Sequence, residues 1–156
     1  MALYEMIRDT TKKVFSTMME FELEEISDSK KITDTDEFWI EGALFFGGSV
    51  LGDFRIQMRE SFAQKVASTM LGADMSSIQS ENEVLDVIKE LANMIGGNLR
   101  TQISASGLQC DISPPKAERK QNINHKVPSG GRFARSYFKH GMHYVITEIH
   151  LRPYKI

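Results

Sequence analysis

The chain has 156 residues, a formal net charge of −2 and one cysteine, with 41% hydrophobic and 26% charged residues. Such a composition is globular, lacks the basic excess a nucleic-acid partner would favour, and excludes a disulfide framework within the chain. No stretch of about eighteen apolar residues is present to span a membrane as a helix.

The opening string MALYEMIRDTTKKVF is amphipathic and has no apolar signal-peptide block, so a cytoplasmic chain is expected. Leu3, Met6, Val14 and Met18 recur at helical spacing and predict a helix from Leu3 to Met19. EFELEEIS reads as a short strand and DSKKITDTD as a polar connector. FWIEGALFFGGSVLGDFRIQM then alternates with period two on both sides of Gly47-Gly48. Phe38, Ile40, Leu44 and Phe46 share one face of the first strand; Val50, Phe54, Ile56 and Met58 share one face of the second. A hairpin turning at the glycines follows.

ESFAQKVASTMLG predicts a short helix that stops at Gly72. Ser80 and Glu83 have capping-box spacing and open the longest helix. CDISPP reads as a strand ended by its prolines, which cannot donate to a ladder. KAERKQNINHKVPSGG is polar, a loop with room for a short edge strand. RSYFKHGMHYVITEIHL closes the chain as a second hairpin turning at His140-Gly141. The expected class is α+β: an antiparallel sheet with two or three helices packed on one face, in a single domain over residues 1–156. KVFSTMM at Lys13, KVASTML at Lys65 and KELANMI at Lys89 also echo one another. The echo raises either an internal duplication of a helix-plus-hairpin unit or mere convergence of similar apolar stripes.

The longest helix carries an unusual stripe. At about 100° per residue, Asp86, Glu90, Asn93 and Gly97 fall within roughly 40° of arc. Val84, Val87, Ile88, Leu91, Ala92, Ile95 and Leu99 fill the opposite side and form the expected core face. An outward Asp-Glu stripe is ordinarily a solvated surface. Asn93 and the Gly96-Gly97 pair argue otherwise, because each costs several tenths of a kcal/mol to about 1 kcal/mol in a helix interior. Gly97 would leave a bare patch that another backbone could approach. The pair could instead end the helix, but Leu99 and Ile103 stay in phase and favour continuation. A carboxylate and a carboxamide one turn apart lack a nucleophile, a metal set or an oxyanion hole. They suit the completion of a half-built site on a partner, where the amide can hold a water in line for attack.

Asp86, Glu90 and Asn93 in a D-xxx-E-xx-N spacing, the following Gly pair and Pro114-Pro115 resemble the signature of the CheC/CheX/FliY chemotaxis phosphatases. The order of elements resembles that family too. Val14 and Thr17 stand where a second Glu-Asn pair would lie in the first helix, which points to the single-site CheX-like branch. The resemblance implies hydrolysis of the aspartyl phosphate on a CheY-type receiver domain. It implies that Glu90 pairs with a receiver lysine, that Asn93 orients the attacking water, and that Asp86 and Gly97 support them. It implies Mg2+ on the receiver, none bound by this chain, and a homodimer joined through sheet strands. A binding module that holds the phosphorylated receiver without turnover is the alternative.

Other candidate chemistry is weaker. His140, His143 and His150 read as exposed residues of the last hairpin, since no ligand set converges on them. GGSVLG lacks the Lys-Ser/Thr of a phosphate loop. Cys110 reads as a small buried residue.

Overall fold

The computed structural model describes residues 2–27, 36–77 and 80–153. Most of the expected polar connector after Ile26 lies outside the described residues. In chain order the elements are α1 (Leu3–Met19), β1 (Glu24–Ile26), β2 (Trp39–Gly48), β3 (Val50–Arg59), α2 (Glu60–Leu71), α3 (Glu81–Ala105), β4 (Cys110–Ile112), β5 (Lys116–Lys120), β6 (Arg132–His140) and β7 (His143–Pro153). The class expected from the pattern is the one observed: an antiparallel sheet with three helices. The sheet runs β1-β6-β7-β3-β2, and β4 and β5 lie end to end along the outer edge of β2.

Period two puts Ile40, Leu44 and Phe46 of β2 beside Met58, Phe54 and Gly52 of β3 on the face under the helices. Val145, Ile149 and Leu151 of β7 continue that face. Phe15 of α1, Phe62 of α2 and Ile88, Leu91 and Ile95 of α3 meet it in one core, and all five are fully buried. A buried hydroxyl pair, Thr11 and Thr147 at 3.1 Å, joins α1 to β7.

The strand order is unchanged when the two halves of the chain are exchanged. β1 of the first half pairs with β6 of the second, β4 and β5 pair with β2, and β3 and β7 meet in the middle. This supports a duplicated unit of one helix, an edge strand and a hairpin. α2 falls between the two units, so its KVASTML string has no place in the repeat. The register of the echo is not one of faces either. Val14 is buried, whereas its counterpart Glu90 is exposed.

One expectation is borne out with an addition, and one is corrected. The first concerns the back of the sheet. Residues 121–131, read as a polar loop, cross it to join β5 to β6, and Ile123 packs there against Trp39 and Ile146. Under this strap lies a ladder of charges. Glu41, 3% exposed, accepts from Arg55 at 3.0 Å, Gln57 at 2.7 Å and Lys120 at 2.8 Å. Burial pushes its carboxyl up, but the Lys120 and Gln57 hydrogen bonds and the Arg55 charge prevail and hold it below the usual range. Arg135 pairs with Glu148 at 2.8 Å and donates to the strap carbonyl of His125 at 3.0 Å. The correction concerns the last hairpin. His140, His143 and His150 are half-buried, not exposed; His140 and His143 stack on Phe21 and Phe62 with ring centroids 4.4 and 4.8 Å apart. His140 Nδ1 also lies 3.1 Å from the Glu22 carbonyl oxygen.

This stacking makes the hairpin tip acid-sensitive. Burial lowers the His143 pKa, Lys65 and His140 lower it further, and Glu37 opposes them. The unfolded chain therefore takes up the proton first as pH falls below about 6.5. Stability from this group is complete above that pH and is lost as pH falls through the lower folded value. His143→Phe keeps a stacked ring and removes the proton. Thermal melts between about pH 7 and pH 5 should show a shallower loss of Tm in the variant than in the parent; equal slopes would contradict the assignment.

Candidate functional site

The outward stripe depends on how α3 is built. Ser80 sits at φ −143°, outside the helix, and its hydroxyl accepts from the Glu83 N–H at 3.2 Å. The helix then runs 25 residues without interruption through Gly96-Gly97 to Ala105. Its buried residues are those of the apolar phase, from Val84 to Ile103.

The two glycines do different jobs. Gly96 is buried, and a Cβ added there would stand 2.3 Å from Leu44 Cδ2 and 3.0 Å from Leu44 Cγ. Gly97 is half-exposed, and an added Cβ would meet nothing within 4 Å. The bare outward patch expected from the sequence is thus Gly97 alone. Gly96 was missed as a packing residue, although its phase with Ala92 and Leu99 carried the signal.

The four stripe residues stand on one face, with Asp86 and Glu90 exposed and Asn93 and Gly97 half-exposed. Asp86 accepts from Lys89 Nζ at 3.5 Å, with side chains 73% and 44% exposed. Such a pair contributes under about 1 kcal/mol and leaves Asp86 a supporting member. Among the described residues, no hydrogen bond or ion pair holds the side chains of Glu90 or Asn93. Both are presented on a rigid helix with their polar atoms unengaged.

The flank of the stripe is also fixed. Arg100 Nε donates to the Cys110 carbonyl at 3.0 Å and ties the second half of α3 to β4. Pro114 and Pro115 fall where β2 changes partner from β4 to β5. Ser113 bridges that break: its N–H donates to the Phe45 carbonyl at 2.8 Å, and its hydroxyl accepts from the Phe45 N–H at 2.9 Å.

The other candidates stay apart. His140 and His143 hold the hairpin tip, and His150 Nε2 lies 2.9 Å from the Gly130 carbonyl oxygen at the strap. No group of three His, Cys, Asp or Glu side chains that could hold a metal ion forms among the described residues. Cys110 is buried, and burial pushes its thiol up despite Arg100, away from the thiolate a nucleophile needs.

The profile of the family described as chemotaxis phosphatase CheX matches residues 40–139, more than half of the chain. The chain belongs to that family. Solved structures agree on the fold. CheX from Vibrio vulnificus is 19% identical, with 97% of each chain covered and a TM-score of 0.79. CheX in a CheX–CheY–BeF3–Mg2+ complex from Borrelia burgdorferi is 22% identical, with 96% of this chain and 97% of that one covered and a TM-score of 0.74. A CheC-like superfamily protein from Shewanella sp. PV-4 is 26% identical, with 95% and 96% covered and a TM-score of 0.75. No curated protein sequence matches the chain. Within this CheX-family fold the Glu-xx-Asn pair occurs on α3 alone of the helices. α1, its counterpart in the other half, contains no asparagine.

The open space at Gly97 has a measurable consequence. Gly97→Ala removes backbone freedom and meets no neighbour, so it should stabilise the fold by up to about 1 kcal/mol. A chain of this size should then melt roughly 2–4 °C higher. A lower Tm would show that the position is not open.

Proposed function

We propose that the chain acts as one phosphatase domain over residues 1–156 and hydrolyses the aspartyl phosphate of a CheY-type receiver. Membership in the chemotaxis phosphatase CheX family supports the reaction class. The observation that carries the residue assignment is the unengaged Glu90 and Asn93 pair, one turn apart on the outward face of α3. In the reaction, water adds to phosphorus and the acyl P–O bond breaks. The aspartate carboxylate and inorganic phosphate are released.

Asn93 holds the water. Its amide offers an acceptor for a water proton and donors for a phosphoryl oxygen, so one side chain can fix the line of attack. Positioning of this kind suits phosphoryl transfer, where little covalent work is left to the protein. Glu90 reaches the receiver lysine and sets the depth of docking. Asp86 adds negative charge one turn earlier, and Gly97 lets the receiver backbone approach. Mg2+ belongs to the receiver in this reading, as the CheX–CheY–BeF3–Mg2+ composition of the Borrelia burgdorferi complex suggests. The phosphatase works in the cytoplasm beside its partner; no helix among the described residues is long and apolar enough to cross a membrane.

The pair separates by experiment. Asn93→Ala should lower turnover of a phosphorylated receiver by roughly 10- to 1,000-fold, the range for loss of one positioning group. Its affinity for a BeF3-bound receiver should change little. Glu90→Lys should weaken binding and rate together, because it sets like charges face to face. Both variants should melt close to the parent, since neither side chain is buried. Normal turnover by folded Asn93→Ala would end this mechanism. Stoichiometric protection of the phosphoryl group by the parent would replace it with a binding module.

The family resemblance also carries a homodimer joined through sheet strands, and the sheet limits which strands are free to join. The last hairpin, rich in β-branched and aromatic residues, has no free edge to offer: β6 is flanked by β1 and β7, and β7 by β6 and β3. The exposed edges are β1 and the β4–β5 line instead. A second copy can extend the sheet at one of these. Light scattering at micromolar concentration should give twice the mass of one chain, and the mass of one chain would rule the dimer out.

A further inference from the structure

α3 lies closer to β2 than ordinary side chains permit, and glycine makes the approach possible from both sides. On the strand, a Cβ at Gly42 would stand 3.1 Å from Ile88, 3.1 Å from Ile56 and 3.2 Å from Ala92. On the helix, a Cβ at Gly96 would stand 2.3 and 3.0 Å from the two methyls of Leu44 and 3.0 Å from its Cγ. Carbon atoms pack at about 3.5–4.0 Å. Rotation of the Leu44 methyls would relieve the shortest contact but leaves Cγ in place. Leu44 is also fully buried, with neighbours on all sides. A side chain at position 96 would therefore press the helix away from the strand.

Asn93 lies in the turn between these two seats, one residue after Ala92 and three before Gly96. Any lift or roll of α3 at Gly96 moves Asn93 with it. A displacement of about 1 Å is enough to spoil an in-line geometry.

We propose that Gly96 is a positioning residue for the phosphatase reaction: with Gly42 it fixes the depth of α3 on β2, and through that depth it places the Asn93 amide against the docked receiver. This rests on the assignment of Asn93 made above. Gly96 touches neither water nor phosphate and acts only through the helix it seats.

The test is a size exchange, because a merely structural glycine would show activity that follows stability. Four full-length proteins are compared: parent, Gly96→Ala, Leu44→Ala and Leu44→Ala/Gly96→Ala. Leu44→Ala removes all three atoms that an added Cβ would meet. Each is assayed for turnover of a phosphorylated receiver at saturation, for Tm, and for the distance between spin labels at Thr101 on α3 and Val127 on the opposite face. Both label sites are exposed.

Gly96→Ala is expected to lengthen that distance by about 1 Å and to lower turnover at least about 10-fold, by the misplacement argument. The double variant is expected to regain the parent distance and to come within about threefold of the Leu44→Ala rate, less than one positioning group's share. It should do so while melting below the parent, since a core leucine has been truncated. Parent-like turnover by folded Gly96→Ala overturns the proposal. So does a double variant whose distance recovers while its rate does not, or a distance that never changes. A parent without turnover defeats the phosphatase assignment, and the distance comparison then decides by itself whether Gly96 sets the seat.

Discussion

One packing contact governs the molecule: the apolar side of α3 against β2. Among the described residues β2 is the only strand with three partners, β3 along one edge and β4 and β5 along the other. Its first six residues, Trp39 to Leu44, are all buried, with α3 in front and Ile123 of the 121–131 strap behind at Trp39. A helix laid on such a strand has little freedom to shift, because close-packed interiors transmit displacement instead of absorbing it. Positioning chemistry needs this stiffness. A carboxamide that orients water contributes through placement, so its platform matters as much as the group itself.

Much of this was legible in the sequence. The hairpins, the three helices, the Ser80 cap and the outward stripe follow from period, capping and turn chemistry, which act over a few neighbouring residues. Two features escaped for one shared reason. The strap is the polar loop its composition indicates, but its buried anchor, Ile123, did not show because it meets Trp39 and Ile146 from distant strands. Gly96 looked like its neighbour because the atom that excludes a side chain there belongs to Leu44, more than fifty residues earlier. Local pattern records which way a residue faces, not what waits there. The free state of Glu90 and Asn93 was illegible for the same reason, since an absent partner leaves no trace in the string.

Within the repeated architecture the proposed site lies in one half and not in the other. α1 occupies the position of α3 in the companion half, over β6 and β7. Its fastening is partly polar: Thr11 is fully buried and bonds Thr147, and Thr10 accepts from Gln102 of α3 at 2.8 Å. Its outward side bears Glu5, Asp9, Lys12, Lys13 and Thr17, an ordinary solvated mixture. α1 therefore serves as a buttress for α3, and in this symmetric frame the proposed site falls on α3 alone.

The two faces of the sheet set the polar residues proposed to work against those committed to the fold. The back carries the denser set of charges, with Glu41, Arg55, Lys120, Glu148 and Arg135 within one ladder. By abundance it would be the site. Yet its members satisfy one another, and removing a partner from a buried pair strands the other charge at a cost of about 3–5 kcal/mol. Such groups are committed to the fold and have little left to offer a substrate. Glu90 and Asn93 are the reverse case. Folding asks nothing of their polar atoms, while Asn93 costs the helix more than alanine would by several tenths of a kcal/mol. A polar pair held in place by apolar packing beneath it, and left unsatisfied above it, keeps its hydrogen-bonding capacity for a second molecule.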